Sequence, residues 1–182
     1  MMAAVRILLA LAALAGVAHA DGDRAFSIGP TLGTFSVAGP AMSGQSPSTI
    51  SPDFGLGLDV AYQHGISSDV SLHAAAAGTY FNGGAQKGQS DNSYAVVGDV
   101  GLLFKLDILK IVPYAFADVG LIGTFGGVLA GDSTYVLTLG GGVEVMASRE
   151  RSWGVELRLA SFASNVTVAT IGYHRSFRWG FF

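Results

Sequence analysis

Alternation of apolar and polar side chains is the dominant pattern along this chain. In residues 54–63, for example, Phe54, Leu56 and Leu58 are separated by glycines, and Asp59 follows on the opposite side. Successive side chains of a β-strand point to opposite faces, so this period of two predicts strands with one apolar face. Eight such segments follow one another, over residues 24–37, 54–63, 70–81, 93–106, 112–125, 134–146, 153–162 and 166–182.

Two of the eight segments are less clear than the others. Residues 74–77 are four alanines, which give no contrast between two faces, so a short helix is the alternative there. In residues 112–125 we place Asp118 on the polar face, which puts Tyr114 and Phe116 on that face as well.

The composition is unusual for a soluble domain and moves the prediction towards a membrane. Hydrophobic residues make up 50% of the chain, charged residues only 13%, and the mean hydropathy is +0.47. After residue 20 there is no continuous apolar run long enough for a transmembrane helix, which needs about 20 residues. Only helices and closed barrels satisfy all backbone hydrogen bonds in lipid. We therefore predict an all-β fold, an eight-stranded antiparallel up-and-down transmembrane β-barrel.

Residues 1–20 have the features of a secretory signal peptide. Arg6 supplies the positive start, residues 7–17 are apolar, and Ala18-His19-Ala20 is a small-x-small cleavage site. An uncleaved anchor is the alternative. We expect removal of residues 1–20, export from the cytoplasm, and a single barrel domain over residues 21–182.

Charge and cysteine content exclude several classes of function. The chain has a formal net charge of −3, which argues against nucleic acid as a partner, because such proteins carry clustered Lys and Arg. It has no cysteine, so no disulfide framework and no thiolate metal site are possible. The scattered histidines lack metal-ligand spacing and no nucleotide-binding glycine motif is present, so we expect no metal and no cofactor.

The connections between predicted strands differ in length at the two ends of the barrel. Residues 38–53, 82–92 and 126–133 are long and rich in turn-forming residues, whereas 64–69, 107–111 and 148–152 are short. Outer-membrane barrels have short periplasmic turns and longer external loops. The first strand should therefore start at the periplasmic side. The connection at 163–165 is short and departs from this pattern.

Aromatic residues concentrate where these strands should cross the two membrane–water interfaces. Such clustering is typical of the aromatic girdles of membrane barrels, although aromatic residues favour strands in general. The predicted external girdle contains Phe54, Tyr80, Tyr94 and Tyr135, and the predicted periplasmic girdle contains Tyr62, Phe104, Trp153, Phe177 and Trp179.

The whole chain after residue 20 resembles the small eight-stranded outer-membrane barrels of Gram-negative bacteria, the OmpA/OmpX/OmpW-like group. An aromatic final strand, VTVATIGYHRSFRWGFF, is part of this resemblance. One feature departs from it: the apolar face ends on Phe181 or Phe177, whereas the register of Phe182 contains Arg178 and Ser176. The resemblance implies an outer-membrane location, a monomer, contact with outer-membrane lipid and lipopolysaccharide, and insertion by the barrel-assembly machinery.

Ionisable residues recur on the predicted inward face. An eight-stranded barrel has room only for side chains, so these groups must pair with one another. We predict that Arg158 pairs with at least one acid and that the charges plug the lumen; a narrow pore or a conduit for small or hydrophobic solutes is the alternative. The predicted lumen charge cluster is Asp59, Asp99, Lys105, Asp118, Glu144, Glu156 and Arg158, with His73, His174 and Arg178 on the same face.

Two further alternatives concern catalysis and ligand binding. His174-Arg175-Ser176 resembles part of the motif of outer-membrane lipid A deacylases, but Phe177 replaces the expected Asn and only Glu156 could orient the histidine. In a soluble lipocalin-like barrel the apolar face would point inward around a ligand. We expect neither, and predict a non-enzymatic membrane barrel with a structural or surface-interaction role.

Overall fold

The computed structural model describes residues 23–38, 49–50, 54–82, 92–106, 110–126, 132–162 and 166–180. Eight long β-strands account for most of these residues, and a two-residue strand, β2, extends the first hairpin. The strands are β1 Arg24–Ala38, β2 Thr49–Ile50, β3 Gly55–Gly65, β4 Val70–Phe81, β5 Ser93–Lys105, β6 Ile111–Phe125, β7 Asp132–Met146, β8 Arg151–Phe162 and β9 Val166–Trp179.

The eight long strands form a closed antiparallel barrel. Each pairs with its neighbour along the chain, β1 directly with β3, and β9 returns to pair with β1. The closing register places Arg24 opposite Trp179 and Val37 opposite Val166. The predicted eight-stranded up-and-down fold is therefore confirmed. No helix in the described part of the chain is long and apolar enough to cross a membrane.

The ambiguous alanine segment is strand, not helix. Residues 74–77 lie within β4, where Ala75 and Ala77 are buried and Ala74 and Ala76 lie on the outer face. Pairing of β4 with both β3 and β5 supplies the backbone hydrogen bonds that a run of alanines could otherwise have formed within a helix. β6 also has the predicted register, with Tyr114, Phe116 and Asp118 buried.

Strand ends match the predicted bounds or differ by one or two residues, except that the last strand ends three residues earlier than predicted. β9 ends at Trp179, because Gly180 adopts a φ of 90°, a left-handed conformation that interrupts the extended chain. Phe181 and Phe182, the predicted signal peptide over residues 1–20, and most of the predicted loops lie outside the described residues.

The two ends of the barrel are distinguished by their connections. At the short-turn end, residues 66–69 and 147–150 form compact turns in which backbone amides bond back across the hairpin, as in Ile66 to Val70 and Ser148 to Arg151. The other end, which we call the long-loop end, carries the connections 39–54, 82–92 and 126–131, together with the short 163–165.

Candidate functional site

Burial alternates along the strands and separates an apolar outer face from a largely polar interior. On β5, Tyr94, Val96 and Val100 are exposed, whereas Asp99 and Lys105 between and beyond them are buried. The same alternation runs through all eight long strands. Large hydrophobic side chains on the outside and polar ones inside are the reverse of a lipocalin-like barrel, so that alternative is wrong.

An apolar cap of inward side chains occupies the lumen at the long-loop end. Phe35 and Phe81 meet edge to face with ring centroids 4.9 Å apart, and Ile122 is fully buried beside them. The cap comprises Phe35, Phe81, Ala95, Val97, Ile122, Val136, Ala160 and Val168.

Sequence reasoning missed this cap, although a signal for it exists. At the long-loop ends of several strands two neighbouring residues are both apolar, as in Tyr80-Phe81, Val96-Val97 and Leu121-Ile122. One member of each pair faces out and the other faces into the cap. Loss of alternation at one end of successive strands therefore indicates an apolar end to the lumen.

Below the cap, Arg158 gathers acidic side chains from three strands. Its guanidinium lies 3.1 Å from Asp59 of β3, 3.1 Å from Glu156 of β8 and 4.0 Å from Asp99 of β5. It also lies over the Phe116 ring, 5.2 Å from the centroid. A planar guanidinium with five donors suits several carboxylates at once. Arg158 therefore connects opposite walls of the barrel.

A second buried pair lies beside Arg158. Nδ1 of His73 on β4 is 2.7 Å from a carboxylate oxygen of Asp118 on β6, and both side chains are almost inaccessible to solvent. The Tyr114 hydroxyl donates a hydrogen bond to Glu156 at 2.8 Å. We call Asp59, His73, Asp99, Asp118, Glu156 and Arg158 the central charge cluster.

Glu144 and Lys105 occupy the short-turn end of the lumen and do not join the central charge cluster. Glu144 pairs with Arg178 of β9 and accepts a hydrogen bond from the Ser152 hydroxyl. The sequence made Glu144 a candidate partner of Arg158. Glu144 pairs instead with Arg178, whose strand β9 is separated from β7 by β8 alone. Lys105 is buried at the end of β5, towards the same end of the lumen.

Inward glycines make room for aromatic rings and do not leave open space. A side chain added at Gly140 of β7 would collide with the Phe116 ring, one at Gly142 with Tyr114, and one at Gly55 with Phe81. The void beside Arg158, lined by Thr31, Asp59 and Glu156 among others, measures about 10 Å³, room for one water at most. These glycines therefore do not indicate a conduit.

The predicted aromatic girdle residues all lie on the outer face. At the long-loop end the Tyr80 and Tyr94 rings lie 5.3 Å apart, and Phe125, not included in the prediction, is 6.2 Å from Tyr94. At the short-turn end Tyr62 and Trp179 lie 6.4 Å apart. The remaining predicted members, also on the outer face, are Phe54, Phe104, Tyr135, Trp153 and Phe177.

The His-x-Ser motif does not form an accessible catalytic site. His174 and Ser176 are buried and point into the lumen, while Arg175 between them points outward. The ring of His174 lies edge-on to Tyr114, 6.1 Å between centroids. A lipid substrate on the outer face would be separated from both side chains by the barrel wall.

No protein-family model matches this chain, and no curated protein matches it by sequence. Solved structures do match. Ail, the attachment invasion locus protein of Yersinia pestis, aligns at 15% identity with a TM-score of 0.57, over 87% of this chain and 99% of that chain. Neisserial surface protein A aligns at 10% identity with a TM-score of 0.61, over 84% and 96%. OprG from Pseudomonas aeruginosa aligns at 10% identity with a TM-score of 0.60, over 89% and 98%.

At these identities the likeness is one of fold. The closed eight-stranded barrel, the apolar outer face and these matches agree with one another. The chain therefore has the fold of the small eight-stranded outer-membrane β-barrels.

Proposed function

We propose that this protein is an integral outer-membrane barrel whose lumen is closed, and that it acts through its external loops and its lipid-facing surface without conducting solutes. The observation that carries this proposal is the filling of the lumen. The apolar cap, the central charge cluster and the Glu144–Arg178 pair occupy it at three successive levels.

The outer face supports a membrane location. Leu56, Leu58, Val100, Leu121 and Leu137 are each about half exposed or more, a pattern that is costly in water and favourable in lipid. Ail and OprG are described as outer-membrane proteins, and both share this fold. Because outer-membrane barrels have short periplasmic turns and longer external loops, we place the short-turn end in the periplasm and the long-loop end outside the cell.

The remaining parts of the proposal concern assembly and surroundings. A closed barrel has no free sheet edge for pairing with a second chain, which supports a monomer. We include contact with outer-membrane lipid and lipopolysaccharide, and insertion by the barrel-assembly machinery. His174 and Ser176 are enclosed within the barrel, which supports a non-enzymatic role.

Fractionation and conductance test this proposal directly. The protein expressed in a Gram-negative host should be recovered in the outer-membrane fraction and should migrate differently on gels before and after heating. In planar bilayers the purified barrel should show no stable current steps, and neither should Asp99→Ala, which leaves Arg158 paired with Asp59 and Glu156. Recovery as a freely soluble periplasmic protein would overturn the location, and steady conductance would overturn the closed lumen.

A further inference from the structure

A guanidinium interrupts the apolar outer face of β9 near the short-turn end. Arg175 is exposed on that face between Tyr173 and Phe177 of its own strand. Strand β9 pairs with β8 on one side and with β1 on the other, and Arg175 lies opposite Trp153 of β8 and opposite Ile28 of β1. All four neighbours are large, exposed hydrophobic residues. Arg175 is thus a charge set within a surface suited to lipid.

Arg175 has no acidic partner among the residues that the structure describes. Within the described ranges it forms no ion pair, and its guanidinium carbon lies 6.0 Å from the centroid of the Phe177 ring. A charged side chain on a membrane-facing surface is costly unless it pairs or reaches the interface. A ligand with negative charge would supply the missing partner.

A second arginine stands beside it and completes a cleft. Arg151 is the first residue of β8 and points outward, two positions before Trp153 and opposite Phe177. It too forms no ion pair among the residues that the structure describes. The cleft measures about 510 Å³ and is lined by Ala147, Ser148, Arg151, Ser152, Trp153, Tyr173 and Arg175.

The cleft is polar towards the turn and aromatic towards the barrel wall. Ser148 belongs to the turn 147–150, and its hydroxyl oxygen accepts a bond from the Glu150 amide, which leaves its O–H able to donate. Trp153 and Tyr173 stack with centroids 6.3 Å apart and planes inclined by 28°. Glu150, the acid of this turn, does not line the cleft.

We propose that this cleft binds the phosphate-bearing headgroup of an anionic phospholipid in the periplasmic leaflet. Two guanidiniums match the geometry and charge of a phosphate. The Ser148 hydroxyl can donate to the same group, and the stacked rings lie where the upper acyl chains would begin. The assignment to the periplasmic leaflet rests on the proposed function, because that function places the short-turn end there.

Lipid selectivity can be read at Trp153 itself. The chain has two tryptophans, so Trp179→Phe leaves Trp153 as the single tryptophan, which can be excited selectively over the tyrosines. This protein is inserted into phosphatidylcholine vesicles that contain increasing fractions of acyl-brominated phosphatidylglycerol or, separately, acyl-brominated phosphatidylcholine. Quenching of Trp153 then gives the relative affinity of the two lipids at this cleft. Each arginine near an anionic surface contributes roughly a fivefold gain in affinity, so we expect roughly a ten- to thirtyfold preference for phosphatidylglycerol.

Matched variants distinguish lipid binding at this cleft from a general effect of positive charge at the short-turn end. In Arg151→Gln/Arg175→Gln the preference should fall to about twofold or less. Lys110→Gln/Arg149→Gln removes the same charge from exposed residues at the same end that do not line the cleft, and should keep the preference. If the first double variant fails to insert, high salt applied to the parent protein is the second test, since it should weaken a headgroup contact near the surface.

The outcomes distinguish a lipid site, a free phosphate site and failure of the barrel itself. Equal quenching by both lipids in a protein that inserts and is heat-modifiable would overturn the lipid site and leave the proposed function standing. Quenching of Trp153 that is equal for both lipids, together with binding of soluble glycerol phosphate to the parent protein but not to Arg151→Gln/Arg175→Gln, would assign the cleft to free phosphate and overturn the lipid source. A protein that does not insert and shows no heat-modifiability would contradict the proposed function instead.

Discussion

Arg158 is the single side chain on which the interior of the barrel depends most. It is buried, it contacts Asp59 and Glu156 at 3.1 Å, and it packs over Phe116. Without it, those carboxylates would remain in the lumen and would lose the guanidinium that contacts both of them. Removing one partner of a buried ion pair typically costs about 3–5 kcal/mol, because the other partner keeps its desolvation penalty.

We therefore expect Arg158→Leu to lower the free energy of unfolding by about 3 kcal/mol or more. The measurement is the urea midpoint of the barrel in lipid vesicles, followed by tryptophan fluorescence. Arg175→Leu is the matched control on the outer face, where exchange of a charge near the interface for leucine should cost little or even stabilise. An Arg158→Leu barrel as stable as the parent and equally non-conducting would contradict a plug that depends on this ion-pair network.

At the scale of the elements, each strand from β4 to β9 contributes apolar side chains to the cap and ionisable side chains to the levels below it. β6 illustrates this: Ile122 lies in the cap near one end, Asp118 pairs with His73 in the middle, and Tyr114 packs near the other end. Neighbouring strands repeat the order in the opposite chain direction. The antiparallel register thus aligns apolar positions from all parts of the chain into one cap.

Because Ile122 lies in the apolar cap, we expect a polar substitution there to destabilise the barrel strongly. Ile122→Asn would bury an amide among Phe35, Phe81 and other apolar side chains. An unsatisfied buried polar group costs about 1–3 kcal/mol, to which the lost apolar burial adds. We expect a lowered urea midpoint with no conductance, because the central charge cluster still closes the lumen. Ile122→Val is the size control and should cost only about 0.5–1.5 kcal/mol. Equal effects of the two substitutions would argue against an apolar cap.

At the scale of the whole molecule, closure and end asymmetry define an orientation. Pairing of β1 with β9 leaves no open sheet edge, so the barrel can lie in lipid with its backbone groups satisfied. The short turns 66–69 and 147–150 lie at one end. The proposed function places this end in the periplasm.

Labelling of single cysteines tests this orientation, and the absence of native cysteine makes it straightforward. In intact cells, a membrane-impermeant maleimide should label Ser90→Cys in the long connection 82–92. Ser68→Cys in the turn 66–69 should react only after the outer membrane is permeabilised. The reverse pattern would show that the barrel is inserted the other way round.

Local pattern alone determined the strand count, the inward and outward faces of the clearly alternating strands, and the outward position of the girdle aromatic residues. These follow from the period of two, which is a property of each strand by itself. The alternation around Leu56, Asp59 and Val60 is sufficient to assign the faces of β3. The alanines of β4 lay within a predicted strand, but their pattern left a short helix open, and pairing with β3 and β5 decided between the two.

Tertiary structure decided which inward groups meet and how they fill the lumen. Glu144 and Glu156 are both inward and both near Arg158 in sequence, yet Glu144 pairs with Arg178 and Glu156 with Arg158. The difference arises because strand register and closure set the height of each side chain along the barrel axis. The same applies to Phe116 over Gly140 and to the apolar cap, whose members come from seven strands. Such contacts depend on the staggered register around the whole barrel, which no single segment of the sequence contains.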